Sequence, residues 1–267
     1  MHALSPFRRV RRAGLALALA CAASFAFAQA QKAPTVGYEP KSGQEGKDVV
    51  WVPTPQVLVD RMLDMAQVKP GEFVMDLGSG DGRTVISAAK RGARALGVEY
   101  NPDMVALSQR AAEKEGVAGR ATFLKADLFE TDFSRADVIT MFLLPTINLK
   151  LRPKILELKP GTRIVSNSFD MGDWAADQTD TIPQEKGCNV SWCTALLWIV
   201  PAKVDPVQRL PQGEFRLVQQ YQELTGTARM EGANHMVKGK LRGEEVTLSA
   251  GGKTWKGKVR AGRLELN

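Results

Sequence analysis

The feature that most constrains this chain is a glycine-rich turn set between an apolar run and a helical pattern. The apolar run ends in Asp76, and three glycines follow at every second position, namely Gly78, Gly80 and Gly82. Because glycine has no side chain, a ligand can approach the backbone there, and the next helix offers unpaired N–H groups. A dinucleotide-binding fingerprint would be Gly-x-Gly-x-x-Gly, but Arg83 stands where its last glycine belongs. The stretch therefore predicts a strand, a tight turn and a helix, either around a ligand or as an ordinary glycine-rich βα turn.

Strand and helix patterns alternate from residue 55 to residue 200. The first helix is predicted to have Thr54 as its N-cap and Pro55 as its first residue. Later helices are predicted at 102–115 and 147–158, and strands at 95–99, 121–127, 136–144, 163–167 and 195–200, the last closing the sheet. Repeated βα units of this length predict an α/β fold, a Rossmann-like, doubly wound, mostly parallel seven-stranded sheet with helices on both faces.

Three acidic residues stand at or just past the ends of consecutive predicted strands: Asp76, Glu99 and Asp127. In a doubly wound sheet, ligands bind outside the carboxyl ends of the strands. Each acid alone fits a helix N-cap or a solvated loop carboxylate equally well. Together, in order and beside a glycine turn, they indicate one ligand site at this edge of the sheet.

The spacing Asp-x-Gly-x-Gly-x-Gly resembles motif I of the class I S-adenosylmethionine (SAM) methyltransferases. The resemblance implies SAM as cofactor, with Gly78, Gly80 and Gly82 making room for its methionine part and Asp76 helping to hold the amino group. The remaining cofactor residues implied by the resemblance are Glu99 for the ribose hydroxyls, Asp127 and Leu128 for the adenine, and Tyr100 packed beside it.

A narrower resemblance starts at Asp48-Val49-Val50-Trp51-Val52-Pro53-Thr54-Pro55, which is similar to the Val-Pro-Thr segment of Dot1-like seven-β-strand lysine methyltransferases. That group includes small mitochondrial protein-lysine methyltransferases and bacterial relatives. Phe142-Leu143-Leu144-Pro145 also resembles the segment after their fourth strand, so the likeness covers about residues 48–201. It implies a protein lysine as acceptor, and the candidates for lining the acceptor channel are Trp51, Thr54, Leu144 and Pro145. Packing on the start of the helix is the alternative for Trp51.

The sequence lacks other acceptor signatures. Methyltransferases acting on bases or glutamine carry Asn/Asp-Pro-Pro-Tyr/Phe after the fourth strand, and Leu144-Pro145 differs from that pattern. No Cys/His or Ser/His nucleophile arrangement is evident either. An amine acceptor needs only to be neutral and well oriented, so a dry pocket suffices without a strong general base.

From residue 212 onward the helical period disappears. Short segments separated by turn residues follow at a spacing of about ten residues, which predicts a small antiparallel β appendage of four or five strands. The predicted organisation is a signal peptide at 1–28, a flexible lead-in at 29–47, the methyltransferase domain at 48–203 and a small β domain at 204–267.

The first residues have the pattern of a secretory signal peptide. Four arginines precede an alanine-rich apolar segment ending Ala26-Phe27-Ala28, which predicts cleavage before Gln29, export to the periplasm or beyond, and no membrane span in the mature chain. Removing the leader reduces the formal charge from 36 minus 29 to 32 minus 29, or +3. That small excess gives no reason to expect nucleic acid as a partner.

Two cysteines, Cys188 and Cys193, remain after cleavage. An oxidising compartment would allow them to form a disulfide, and two free buried thiols are the alternative. No histidine lies near them, so no metal site is predicted.

The preferred interpretation is an exported SAM-dependent methyltransferase acting on a protein lysine. A small-molecule methyltransferase would need the same motifs. A third hypothesis is a non-catalytic exported binding protein that keeps the SAM fold as a scaffold. The leader and the cytoplasmic origin of SAM stand in tension, and the motifs alone do not relieve it.

Overall fold

The computed structural model describes residues 37–267. The predicted signal peptide lies outside the described residues, so its cleavage and the export that depends on it stay predictions. Among residues 37–267, every helix is too short or too polar to cross a membrane.

The first sheet has seven strands in the order β3-β2-β1-β4-β5-β7-β6. The first five of these are parallel, whereas β7 runs antiparallel to both of its neighbours, so the sheet is mixed. Its strands are β1 Phe73–Leu77, β2 Arg94–Glu99, β3 Ala121–Lys125, β4 Val138–Met141, β5 Arg163–Asn167, β6 Gln178–Thr181 and β7 Thr194–Ile199. Its helices are α1 Gln56–Met65, α2 Arg83–Lys90, α3 Pro102–Lys114 and α4 Pro145–Ile155, with a 3₁₀ turn at Gln184–Lys186.

Two details of the sheet differ from the sequence prediction. "Mostly parallel" describes the five strands from β3 to β5 but not the antiparallel far edge. The strand predicted at 195–200 does not close the sheet, because β6 lies outside it and pairs with it. The β6 sequence Gln-Thr-Asp-Thr is polar and largely exposed, so it carries no apolar alternation that would reveal an edge strand.

The start of α1 also differs. Pro55 occupies the N-cap position and the helix begins at Gln56, so Thr54 is not the cap. The Thr54 hydroxyl instead accepts a hydrogen bond from Asn167 Nδ2 at 3.3 Å, which ties the segment before α1 to the end of β5.

Alternate residues of the central strands enter two separate hydrophobic clusters. Val74 and Val138 pack with α1, α2 and the end of α3 on one face. Met75 and Ile139 pack with α4 and two buried tryptophans, Trp174 and Trp198, on the other. A strand buried on both faces is continuously apolar, which is why these strands were recognisable in the sequence.

The second sheet has seven antiparallel strands, each paired with the next along the chain. They are β8 Val207–Leu210, β9 Gly213–Gln220, β10 Glu223–Met230, β11 Ala233–Arg242, β12 Glu245–Ala250, β13 Lys253–Arg260 and β14 Arg263–Leu266. The first and last strands approach each other, since Leu264 N donates to Gln208 Oε1 at 3.0 Å. The inward residues form a third hydrophobic cluster around Phe215 and Leu248.

The predicted count of four or five strands is therefore wrong. β8 and β14 have only four residues each, too few to show a period. The turn between β9 and β10 uses Tyr221 at φ 54° instead of a glycine, so no turn signal separated those two strands. Both sheets belong to one compact unit, Ala33–Asn267, and a domain boundary at residue 204 remains a prediction.

Cys188 and Cys193 are joined by a disulfide. The bond closes the loop between β6 and β7, which begins where β6 pairs with β7 at Thr181 and Thr194. Of the two alternatives that the sequence left open, the structure contains the bridged form.

Candidate functional site

A cavity lies at the carboxyl ends of β1 to β4. Its wall includes nine of the residues predicted from the sequence: Trp51, Thr54, Asp76, Gly78, Gly80, Glu99, Tyr100, Asp127 and Leu128. Three others, Gly82, Leu144 and Pro145, do not line it. The parallel order of the strands explains this convergence, because consecutive carboxyl ends meet at one edge.

The glycine turn brings backbone to the cavity surface. Gly78 and Gly80 have φ values of 77° and 53°, a region that disfavours side chains. A Cβ at Gly80 would stand 2.5 Å from Trp51 Nε1, so the indole lies directly on this glycine. A Cβ at Gly82 would instead meet the Phe123 ring at 2.7 Å, so Gly82 serves packing against β3.

Asp76 is the most buried acid of the site, at 6% exposure. Its Oδ1 accepts a hydrogen bond from Thr140 Oγ1 at 2.6 Å. Burial raises the pKa of Asp76 to about 7, and the nearby carboxylates of Asp81 and Glu99 raise it further while Thr140 opposes the shift. Thr140 was missed by sequence reasoning, because it lies inside the apolar run of β4.

Glu99 ends β2 with its carboxylate fixed by two backbone donors. Gly80 N donates to Oε2 and Asn101 N donates to Oε1, both at 2.9 Å. Burial raises the pKa of Glu99, and these N–H groups partly offset the rise. The fixed carboxylate can still accept further hydrogen bonds, since each oxygen has a second lone pair.

Asp127 forms an ion pair with Lys47, a residue of the predicted lead-in. This contact is the main cause that lowers the pKa of Asp127, and Phe129 N also donates to Oδ1 at 2.8 Å. The Lys47 ammonium lies 4.9 Å from the centre of the Tyr100 ring. Lys47 gave no sequence signal, because a lone lysine among polar residues resembles any solvated charge.

The segment before α1 forms one wall of the cavity. Gly43 N donates to Trp51 O at 2.8 Å and Trp51 N donates to Gln44 O at 2.9 Å, which folds residues 44–51 into a short loop. Arg83 anchors its far end by donating to Thr54 O at 2.9 Å while pairing with Asp81.

The side of the cavity near β4 differs from the sequence prediction. Leu144 is 42% exposed and Pro145 opens α4, so the chain has already turned away from the cavity at these positions. Phe142 and Leu143 line it instead. The Phe142 ring stacks on Phe169, which follows β5, with centroids 5.9 Å apart.

These groups can hold a ligand with three polar parts. A buried carboxylate suits an ammonium group, a fixed carboxylate at a strand end suits a diol, and an exposed one suits an exocyclic amine. Apolar side chains between the last two, including Met104 and Leu128, suit a flat ring. The donor set and the close approach at Gly80 thus fit SAM.

Sequence comparisons point the same way. Residues 76–178 match a family described as the ANTKMT methyltransferase domain. The chain is 48% identical over 129 residues to a protein-lysine N-methyltransferase of Saccharolobus islandicus, across 47% of this chain and 80% of that protein. It is 38% identical over 130 residues to an ATP synthase subunit lysine N-methyltransferase of Rattus norvegicus, across 48% of this chain and 60% of that protein. The chain thus spans about three fifths of the rat protein.

A solved structure is also similar. It is described as an RNA methyltransferase from Salinibacter ruber in complex with S-adenosylhomocysteine, and it is 45% identical with a TM-score of 0.52. The match covers 58% of this chain and 97% of the other. The printed names of these similar proteins agree on methyl transfer and differ on the acceptor.

Proposed function

The chain belongs to the SAM-dependent protein-lysine methyltransferase family of these relatives, and we propose that it transfers the SAM methyl group to a lysine amine of a protein. One observation carries the proposal: a single cavity at the strand ends joins the glycine turn to Asp76, Glu99 and Asp127. Its small-molecule and non-catalytic alternatives share the same cavity, so experiments on turnover separate them.

The cofactor roles follow from the placement of the three acids. We assign the SAM amino group to Asp76, the ribose hydroxyls to Glu99 and the adenine amino group to Asp127, with Tyr100 and Leu128 beside the ring. Gly78 and Gly80 leave room for the methionine part. When bound, SAM supplies a methyl group activated by its sulfonium charge.

The acceptor would enter between the segment before α1 and the loops after β4 and β5. Trp51, Phe142 and Leu143 line that side of the cavity with apolar surface. Apolar surroundings lower the pKa of an amine and so favour the neutral, nucleophilic form. Orientation and desolvation are then the contributions of this chain, and Thr54, held by Asn167 and Arg83, keeps the wall in place.

A protein acceptor is favoured over RNA by the names of the curated relatives and by the modest charge of the mature chain. The name of the Salinibacter structure keeps RNA as an outcome of the test. Export remains part of the proposal, and the Cys188–Cys193 disulfide supports it, since such bonds persist in oxidising compartments.

The cofactor test is calorimetric titration of the mature chain with SAM and with S-adenosylhomocysteine. We expect binding in the micromolar range and a loss of about tenfold or more in Glu99→Ala, because a charged hydrogen-bond acceptor is removed. Lys90→Ala is the matched control, since Lys90 pairs with Glu115 on the surface away from the cavity. A folded mature chain that binds neither ligand would overturn the proposal.

The acceptor test offers methyl-labelled SAM with separated envelope proteins, total RNA and small amines in parallel. Label that resists nuclease, is lost with protease and maps to lysine supports the proposal. Label confined to RNA or to a small amine would replace it, and SAM binding without any transfer would favour the scaffold hypothesis.

A further inference from the structure

We infer that the second sheet positions the acceptor wall of the cavity by bracing the loop between β5 and β6. This loop, residues 168–177, is called the brace loop below. It contacts Phe142 near one end and the β9–β10 turn of the second sheet near the other. The inference rests on the proposed function and gives the second sheet a part in it.

The cavity end of the brace loop is held by α4. Phe169 stacks on Phe142, which lines the cavity. The amide of Asn148, a fully buried residue of α4, donates to Phe169 O at 3.1 Å and to Asp170 O at 3.0 Å. The stack therefore depends on where the brace loop places the backbone of Phe169.

The middle of the brace loop is anchored in the core. Arg152 of α4 donates to Met171 O at 2.6 Å and pairs with Asp173. The Trp174 side chain is fully buried, and its carbonyl accepts from Trp198 Nε1 at 2.8 Å. A displacement at Trp174 would thus be passed to both neighbours of the loop.

The far end of the brace loop is gripped by the second sheet. The Tyr221 ring stacks on Trp174 with centroids 5.8 Å apart, and Tyr221 Oη donates to Asp173 Oδ1 at 3.0 Å. Gln222 is 2% exposed and its side chain donates to Ala175 O at 2.8 Å. The Arg152 guanidinium also lies 5.4 Å from the centre of the Tyr221 ring.

The backbone of Tyr221 points to a role beyond closing a hairpin. Its φ of 54° lies in the left-handed region, where glycine or asparagine is favoured and a bulky residue is uncommon. The aromatic side chain at this position makes contacts with Trp174, Asp173 and Arg152 that glycine could not make. The turn is thus built as a contact with the brace loop.

The test compares Tyr221→Ala and Gln222→Ala with Glu231→Ala. Glu231 occupies the next hairpin turn with a similar φ of 51°, and its ion-pair partner is Lys253 of the same sheet. For Tyr221→Ala we expect the acceptor KM to rise about tenfold or more, because small misplacements at an acceptor site cost this much. The SAM Kd should stay within about twofold, and hydrogen exchange should quicken at residues 168–171. The control should match the wild type in all three.

Two further measurements keep the inference open to refutation. Tyr221→Phe keeps the stack and loses only the hydrogen bond to Asp173, so it serves if Tyr221→Ala does not fold. Unchanged exchange at 168–171 and an unchanged acceptor KM in folded variants would overturn the inference, as would equal losses of SAM and acceptor binding. Exchange is measurable without turnover, so a wild type that transfers no methyl group would refute the proposed function while the bracing is still tested.

Discussion

The two sheets have the same number of strands and use them differently. In the first, crossover helices join parallel strands, so the carboxyl ends of β1, β2 and β3 gather Asp76, Glu99 and Asp127 at one edge. In the second, each hairpin turns the chain back at once, so successive strand ends alternate between opposite edges. Parallel connection concentrates chemistry, whereas the antiparallel meander builds a shape around its own core.

The largest expected effect tests the claim that chemistry belongs to the first sheet. Gly80→Arg places a side chain where a Cβ already stands 2.5 Å from Trp51 Nε1, on backbone of positive φ. We expect the SAM affinity to fall by about a hundredfold or more, because an overpacked site cannot admit the ligand. Calorimetry measures the loss, and circular dichroism should show that the fold is retained. Undiminished affinity would remove the glycine turn from the cofactor site.

The next effect tests the claim that the second sheet contributes shape. Phe215 is fully buried in the third cluster and packs edge-on against Trp255. Phe215→Ala should lower the free energy of unfolding by about 3–5 kcal/mol through the cavity that it leaves. Urea denaturation measures the loss, and the SAM Kd under native conditions should not change. A Kd that weakened in proportion to stability would blur the distinction between the sheets.

A smaller effect concerns pH. Because the pKa of Asp76 is about 7 in the folded chain and near 3.8 when unfolded, the folded state binds the extra proton between these values. Stability contributed by the protonated acid is therefore full at low pH and is lost as pH rises from about 4 to 7, on the order of 2–4 kcal/mol. Urea denaturation across this range should show a fall that Asp76→Asn abolishes. An identical slope in both proteins would contradict the assignment.

The smallest effect concerns Lys47, whose ion pair with Asp127 is exposed to solvent. Since the ammonium occupies the carboxylate assigned to the adenine amino group, Lys47→Met should tighten SAM binding by about two- to threefold at low salt. The gain should vanish at high salt in the same titration. Weaker binding in Lys47→Met would mean that the lysine assists the cofactor.

How far the sequence predicts this structure depends on burial. The central strands and the three acids were predictable, because strands buried on both faces are continuously apolar and acids at their ends are conspicuous. β6 escaped because it is a polar edge, and β8 and β14 because they are short. Thr140 and Lys47 were missed for opposite reasons: one lies within an apolar run, the other in a stretch of ordinary surface composition. Contacts across long sequence separations, such as Thr140 with Asp76, carry no local pattern.

The position of Trp51 gives the molecule an optical probe of its own cavity. Of the tryptophans at 51, 174, 192, 198 and 255, Trp51 alone lies on the wall of this cavity in the described part of the chain. Its indole rests on Gly80, so any ligand that reaches the glycine turn changes the polarity around that ring. Emission from this one side chain can therefore follow loading and release in real time without a label, and Trp51→Phe supplies the blank.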